Sequence, residues 1–255
     1  MAETALVKAH VPLITSRDIL AFAALYSGAA KHLFLHIPKN AGVSLRKAPA
    51  LRWKMIGVHK QFLKDRAYLD GLLEKMGAER QHHGIAHARL CDVRSSVVRR
   101  LQPVAIVRNP WARTVSRYRF ALLAQEQGTP FKIGKIDSFE DFLETRHEDG
   151  DKPYFWHRAI RGWYPQVDYV LDHQGRIAAD ILRQEFLDKD TVEYFKIASP
   201  PRKRNVTSAM KKVDWKSFHD SKMIQIVADW YAADIEAFGF DFDTAATKNA
   251  WGLAA

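Results

Sequence analysis

The chain has 255 residues, 47% of them hydrophobic, and a formal net charge of +10. This length and hydrophobic content suit one large α/β domain, and we expect residues 1–255 to form a single domain with its core at about 31–242. No run reaches the ~18 apolar residues of a membrane-spanning helix, and the single cysteine, Cys91, excludes an intrachain disulfide.

The first predicted element is a helix at about 17–29. Its apolar run, residues 19–26, follows Arg17 and Asp18 and has no basic leader beside it, so it indicates a helix rather than a secretion signal. Together with the lone cysteine, this favours a reducing compartment, and we expect a cytoplasmic protein. The terminal segments 1–15 and 245–255 are expected to be loose.

A strand at 32–37 then runs into a short polar loop, and a helix is predicted from residue 43. A strand that ends in a tight turn before a helix directs backbone N–H groups at one point, which favours a bound anion. We therefore predict a phosphate-binding turn made of Pro38, Lys39, Asn40, Ala41, Gly42, Val43 and Ser44. The spacing differs from that of the G-x-x-x-x-G-K-[ST] loop, so the ligand need not be ATP with magnesium. The plainer alternative is an ordinary strand-to-helix turn.

Between this turn and the next motif, apolar residues at helical spacing predict a helix at about 60–76. A short strand near 84–87 and a helix at 92–101 follow. The stretch contains a histidine-rich segment, His82-His83-Gly84-Ile85-Ala86-His87.

A second apolar strand, at 103–108, stops at the polar turn Arg108-Asn109-Pro110 and is followed by a long helix from residue 110. Proline is best tolerated in the first turn of a helix, so Asn109 is the expected cap and Arg108 lies at the carboxyl end of the strand. Ser116 lies roughly two helical turns further on, so Arg108 and Ser116 can face one anion. A guanidinium suits a phosphate dianion because it donates two parallel hydrogen bonds.

The remaining predicted elements are helices at 138–147 and 216–238, strands near 167–171 and 194–198, and a strand before Arg183. Strands that alternate with helices indicate an α/β fold, with a mainly parallel sheet flanked by helices around a P-loop-like nucleotide-binding core. Ligands of such sheets bind beyond the carboxyl ends of the strands, where both motifs fall. No Cys/His cluster has metal-ligand spacing, so we expect no metal.

These two motifs resemble the signatures of the family 2 (carbohydrate-type) sulfotransferases. The signatures read roughly H-I-P-K-T-x-G-[TS]-S and R-[ND]-P-[WYF]-D-R-x-x-S-x-[YF], and four weaker landmarks follow in order at 165–169, 183–185, 204–208 and 231–240. The resemblance covers about residues 31–242. It implies a metal-independent enzyme that moves a sulfuryl group from 3′-phosphoadenosine 5′-phosphosulfate (PAPS) to a hydroxyl-bearing acceptor, for which a glycan is expected.

The resemblance also implies roles for single residues. The first turn, residues 38–44, would hold the 5′-phosphosulfate, and Arg108 and Ser116 would hold the 3′-phosphate. Lys39 would neutralise the charge that grows on the bridging oxygen. The general base of the family lies between the two signatures, where we favour His87, at a strand end before a helix, with His83 as the second choice.

The chain departs from the signatures at three positions. Asn40 replaces a threonine but stays polar, and Val43 removes a hydroxyl donor, so Ser44 must carry more of the turn's binding. Ala112 replaces an aspartate that would normally hold Arg113 in place. The role of Arg113 therefore stays open, whereas that of Arg108 does not.

Other candidates rest on the resemblance or on residue type alone. Arg183 and Glu185 are candidates for a structural pair that shapes the donor pocket. Either a sugar site or the protein core would explain Trp156, His157, Arg158 and Trp163, and the core is the commoner environment for such aromatics. Asn205 and its basic neighbours would close over the ligand or form a solvated loop.

Two other classes of protein compete with this interpretation. A nucleotide kinase would need a Walker lysine after Gly42 and a magnesium-binding acid, and the sequence pattern offers neither. A nucleic-acid-binding protein would explain the seven arginines between residues 93 and 125 and the basic stretch at 202–212. The sequence has no recognisable helix-turn-helix, zinc-finger or RNA-binding signature, so we expect no nucleic-acid partner.

Overall fold

A parallel sheet with helices on both faces forms the centre of the molecule. The computed structural model describes residues 16–78, 84–127, 136–149, 163–202 and 213–253. Within these ranges the strands are β1 (His32–Leu35), β2 (Met55–Gly57), β3 (Gln102–Val107) and β4 (Asp180–Arg183). They are all parallel and lie in the order β2-β1-β3-β4. The predicted α/β fold class is therefore confirmed.

The helices of the described ranges connect these strands and cover the sheet. Their bounds are α1 (Ser16–Tyr26), α2 (Gly42–Arg46), α3 (Arg66–Ala78), α4 (Ser95–Val98), α5 (Pro110–Glu126), α6 (Phe139–Glu144), α7 (Leu187–Phe195), α8 (Ser221–Trp230) and α9 (Ala232–Phe238). No helix in this part of the chain has the length and apolar character needed to cross a bilayer.

Alternate residues of the central strands point to opposite faces of the sheet. On β1, Leu33 and Leu35 pack into the larger apolar core, whereas Phe34 packs into a smaller one on the other face. The same alternation on β3 sends Ala105 and Val107 to the first core and Val104 and Ile106 to the second. Because side chains alternate along a strand, apolar residues at every position require helices on both faces.

Three predicted strands are wrong. The segment near 84–87 is a 3-10 turn, Ile85–His87, which follows a left-handed Gly84. The segment at 167–171 is a 3-10 turn, Val167–Tyr169, followed by a single antiparallel bridge of Leu171. The segment at 194–198 is the end of α7 and the left-handed residue after it. Each is a short apolar run, and such runs do not by themselves distinguish a strand from a buried turn.

Several helix predictions have the right location but the wrong length. The predicted helix 216–238 is divided into a 3-10 turn, α8 and α9, because Asp220 caps α8 through the N–H of Met223 at 2.8 Å and starts a new helix. The predicted helix 60–76 begins only at α3, after a 3-10 turn, Lys60–Phe62. The helix predicted at 92–101 is the short α4, between a 3-10 turn and β3.

The described part of the C-terminal segment is packed, contrary to the expectation that 245–255 is loose. Ala246 and Ala250 are buried in the core. The backbone N–H of Trp251 donates to the carbonyl of Ile181 at 2.8 Å, which fastens the segment beside β4. Residues 1–15, which were also expected to be loose, lie outside the described residues.

Candidate active site

The first turn, residues 38–44, follows β1 and has an unusual backbone. Lys39 and Ala41 have φ angles of 71° and 59°, in the left-handed region that non-glycine residues rarely adopt. Each such residue costs roughly 1–2 kcal/mol. After Ala41 the chain enters α2 at Gly42, and the N–H of Ser44 donates to the carbonyl of Ala41 at 2.9 Å. A turn of this shape needs support from the rest of the protein.

Gly42 is required by its contact with His36. A Cβ atom placed on Gly42 would lie 2.2 Å from Cδ2 of His36, far inside van der Waals contact. The imidazole of His36 is buried, and Arg46 donates to its Nδ1 at 3.4 Å. Burial lowers the pKa of His36 well below its usual value, and His87 and Arg46 lower it further. His36 is therefore neutral at pH 7 and packs against the first turn without adding charge.

His87, the predicted base, lies beside the first turn. Its Nδ1 is 2.6 Å from the carbonyl oxygen of His36, and the centroids of the two imidazole rings are 4.4 Å apart. A carbonyl only accepts hydrogen bonds, so Nδ1 of His87 carries a proton. In the neutral ring the lone pair then lies on Nε2. In this tautomer Nε2 can accept a proton, as a general base must.

The second turn, residues 108–110, has the local structure that the sequence predicts. The side-chain oxygen of Asn109 accepts hydrogen bonds from the N–H groups of Trp111 and Ala112, at 3.1 and 3.2 Å, and Pro110 opens α5. The Nδ2 group of Asn109 also donates to the carbonyls of Asp241 and Thr244, each at 2.9 Å. Asn109 therefore caps α5 and joins it to the C-terminal segment.

The two turns meet in the structure. Nη1 of Arg108 donates to the carbonyl oxygen of Lys39 at 3.3 Å, so the guanidinium of the second turn lies directly against the first turn. Burial lowers the pKa of Arg108 to about 10, against the opposing effect of Glu185. That pKa still leaves Arg108 protonated at neutral pH.

Lys39 lies against the face of α5 that carries Ser116. The ammonium group of Lys39 is 4.2 Å from the centroid of the Phe120 ring. Phe120 comes four residues after Ser116 on α5, and residues four apart share one face of a helix. The structure therefore brings Lys39, Arg108 and the Ser116 face of α5 together, and their use in binding a ligand stays a prediction.

Gln166 connects the two turns, a role that no motif in the sequence predicts. Its side chain is fully buried. Its Oε1 accepts from Nδ2 of Asn40 at 2.6 Å and from the backbone N–H of Arg108 at 2.9 Å, while its Nε2 donates to the carbonyl of Arg108 at 2.8 Å. The only signal was that Gln166 falls within the landmark at 165–169.

Arg113 is a second buried support that the sequence left without a role. Its Nε donates to the carbonyl of Pro38 at 3.2 Å and its Nη1 to the carbonyl of Tyr164 at 3.0 Å. Backbone carbonyls thus replace the aspartate that Ala112 removes. Arg113 also acts on the buried Asp234, whose pKa burial raises and Arg113 lowers.

Arg183 and Glu185 do not form the expected pair. Arg183 forms a two-pronged ion pair with Asp190, with Nε–Oδ2 and Nη2–Oδ1 distances of 3.0 and 2.8 Å. Glu185 instead accepts the backbone N–H of Asn109 through Oε1 at 2.8 Å. Glu185 lies in the 3-10 turn that follows β4, two residues beyond Arg183, and it supports the second turn instead.

Trp163 belongs to the core. Its indole is buried, and the guanidinium of Arg117 lies 4.0 Å above its ring. Several other candidates lie outside the described residues: His83, Trp156, His157, Arg158, Asn205 and the basic residues Lys203, Arg204, Lys211 and Lys212. Over the ranges that are described, no group of three or more His, Cys, Asp or Glu side chains is arranged to hold a metal ion.

Comparison with known protein families identifies a match. A family model described as "Sulfotransferase family" matches residues 25–241, a range that contains both turns, His87 and the Gln166 contacts. No curated protein and no solved structure gives a significant match to this chain.

Proposed function

The chain belongs to the sulfotransferase family, and from this membership we propose that it transfers the sulfuryl group of PAPS to a hydroxyl of a carbohydrate. The match over residues 25–241 supports sulfuryl transfer in general. PAPS as the donor and a glycan as the acceptor are proposals that rest on the two signatures. We also propose that the matched range and its flanks form one domain.

One observation carries the proposal of PAPS as donor. Nη1 of Arg108 lies 3.3 Å from the carbonyl oxygen of Lys39, so two cationic side chains extend from turns that touch each other. PAPS carries anionic groups at the 3′ and 5′ positions of one adenosine, and adjacent cationic turns suit a ligand of that kind. The first turn would hold the 5′-phosphosulfate, and Arg108 with Ser116 would hold the 3′-phosphate.

In the proposed reaction His87 is the base and Lys39 the electrostatic catalyst. Nε2 of His87 takes the proton of the acceptor hydroxyl while the hydroxyl oxygen attacks sulfur in line. A new S–O bond forms, the bond from sulfur to the bridging phosphate oxygen breaks, and 3′-phosphoadenosine 5′-phosphate (PAP) leaves. Lys39 stabilises the negative charge that develops on that bridging oxygen.

Sulfuryl transfer from radiolabelled PAPS to a panel of neutral and acidic glycans tests the proposal. We expect transfer to at least one glycan, and we expect His87→Ala to reduce it by roughly 10²–10⁴-fold, the usual contribution of a general base. Affinity for PAP should stay unchanged in that variant, since His87 acts on the acceptor. His173→Ala, which alters an exposed histidine, is the matched control and should keep full activity.

Different results would overturn different parts of the proposal. Normal turnover by His87→Ala would remove His87 as the base, and His83→Ala would then be the next variant to measure. Transfer to small alcohols but to no glycan would contradict a carbohydrate acceptor. Failure of the wild-type chain to bind PAP would contradict the donor.

A further inference from the structure

We propose that Gln166 is a positioning residue, which holds the two anion-binding turns at the separation that one donor with two anionic groups requires. This inference rests on the proposed function, because it concerns how the same donor site is kept in shape. It assigns to Gln166 no contact with the donor. Its effect would pass through Asn40 of the first turn and Arg108 of the second.

Every hydrogen-bonding position of the Gln166 amide is used. Oε1 accepts from Asn40 and from the N–H of Arg108, and Nε2 donates to the carbonyl of Arg108 and to Oδ2 of Asp234, the last at 3.1 Å. A primary amide offers two lone pairs and two N–H groups, so these four bonds complete it. One side chain thus fixes both backbone polar groups of Arg108 to a side chain of the first turn.

The contacts on either side of Gln166 make the connection rigid. Asn40 is itself buried, and its Nδ2 also donates to the carbonyl of Ile106 on β3 at 2.7 Å. Asp234 of α9 is buried as well, and its Oδ1 accepts the N–H of Val167 at 2.8 Å. Gln166 is therefore held by β3 on one side and by α9 on the other. Movement of either turn alone would break hydrogen bonds that are shielded from water, which is costly.

The three side chains nearest to glutamine in size or shape do not meet these requirements. Glutamate has the same shape but no N–H group, so it would present a carboxylate to Asp234 and to the carbonyl of Arg108. Asparagine is shorter by one methylene, and methionine has no donor. Glutamine is thus specified by its contacts and not by burial alone.

The positioning role predicts different effects on ligands that bind both turns and on ligands that bind only one. A ligand that binds both turns gains from their fixed separation, because the second contact forms at a high effective concentration. A ligand that binds one turn gains nothing from it. Loss of Gln166 should therefore weaken PAP, which has both phosphates, more than AMP or adenosine 3′-phosphate, each of which has one.

Calorimetric titration of these three nucleotides with wild-type protein and Gln166→Glu tests the inference. We expect the affinity for PAP to fall about tenfold or more, because the buried hydrogen bonds that fix the separation of the two turns are lost. The affinities for AMP and adenosine 3′-phosphate should each change by less than about threefold, so the PAP-to-AMP affinity ratio falls. The matched control is Gln225→Glu, the same substitution at an exposed glutamine of α8 that also donates to an aspartate, Asp229.

A compensating double variant keeps the test valid if Gln166→Glu folds poorly. In Gln166→Glu with Asp234→Asn, the amide of residue 234 can donate to the new carboxylate, so that the direction of the lost hydrogen bond is reversed. We expect this variant to recover stability and to regain part of the PAP-to-AMP ratio. A recovery of stability with no gain in that ratio would contradict the positioning role.

The remaining outcomes separate this inference from the proposed function. Equal proportional losses for all three nucleotides in Gln166→Glu, or no loss for any, would overturn the positioning role while leaving the donor assignment intact. A wild-type chain that binds PAP no better than AMP would instead contradict the proposed donor, whatever the Gln166 variants do.

Discussion

The two turns that meet at the candidate site are built in different ways. The second turn, residues 108–110, has a helix start that its own sequence favours, since Asn109 caps α5 and Pro110 starts it, and distant residues such as Gln166 and Glu185 bind it in addition. The first turn, residues 38–44, holds Lys39 and Ala41 in the left-handed region. Contacts from distant parts of the chain, above all Arg113 and Gln166, hold it in place.

This difference shows where the binding geometry originates. A capped helix start forms from neighbouring residues, so it tolerates changes elsewhere in the protein. A turn with two left-handed non-glycine residues persists only where its surroundings over-determine it. We therefore expect the backbone shape of the first turn to depend on residues far away in sequence, and the helix start of the second turn to depend mainly on Asn109 and Pro110.

The largest effect should follow from removing the buried support of the first turn. Arg113→Met deletes the bonds to the carbonyls of Pro38 and Tyr164 and leaves Asp234 without its nearby cation. We expect the free energy of unfolding to fall by about 3 kcal/mol or more, and PAP binding to weaken strongly. Urea denaturation and calorimetric titration measure the two effects.

The matched control for that variant is Arg176→Met. Arg176 is exposed and pairs with Asp172 on the surface, so its loss should cost less than about 1 kcal/mol. Equal stability of Arg113→Met and Arg176→Met would show that distant contacts do not support the first turn.

A smaller effect is expected from crowding the first turn. Gly42→Ala places a methyl group 2.2 Å from the His36 ring, and overpacking of this kind typically costs 1–3 kcal/mol. Displacement of the turn should also weaken PAP. The double variant Gly42→Ala with His36→Ala restores the space and should recover part of both losses.

Gly71→Ala is the control for that substitution. Nothing lies within 4 Å of a Cβ at Gly71 in α3, so alanine should stabilise the helix by roughly 0.5–1 kcal/mol. A Gly42→Ala variant as stable as Gly71→Ala, with unchanged PAP affinity, would contradict the close packing of His36 on the turn.

Asn109→Ala removes the cap of the second turn and should lower the free energy of unfolding by about 0.5–2 kcal/mol. Loss of the Nδ2 bonds to Asp241 and Thr244 should lower it further. Asn109→Asp retains the capping oxygen and separates the two contributions. Thermal unfolding of both variants measures this.

Ser138→Ala removes a cap from α6, away from the site, and should cost about 1 kcal/mol with no change in PAP affinity. Equal PAP affinities in the wild type and Asn109→Ala would show that the cap of α5 contributes to stability but not to donor binding.

The smallest effect is a pH dependence that comes from His36. Its pKa is lowered in the folded protein, so below pH ~6.5 the unfolded chain binds a proton that the folded chain does not. Stability should therefore decrease as the pH falls below 6.5, by at most about 1.4 kcal/mol per pH unit for this one proton. His36→Asn should flatten the slope between pH 7 and 5.5. An unchanged slope would mean that His36 is not held neutral, since His219 and His32 contribute equally to both proteins.

The contrast between the turns also explains what the sequence could predict. Some features depend mainly on residues adjacent in sequence, so pattern and spacing were enough to locate them. They are Asn109, Pro110 and the apolar strands β1 and β3. The supports of the first turn act across 75 and 126 residues, from Arg113 to Pro38 and from Asn40 to Gln166. A single sequence carries no sign of such pairs.

The errors have the same origin. Arg183 and Glu185 are close in sequence, but the structure gives Arg183 to Asp190 and Glu185 to Asn109. The segment 167–171 is predicted to be a strand because it is a short apolar run. Its turn conformation is fixed by Asp234, which binds the N–H of Val167 from the far end of the chain.

The thermal shift caused by PAP, compared with the shifts caused by AMP and ATP, tests the central claim most directly. If the touching turns bind one nucleotide through two separate anionic groups, PAP should raise the melting temperature far more than either of the others, because only PAP places a 3′-phosphate at Arg108 and Ser116. Equal shifts from all three nucleotides would contradict the account.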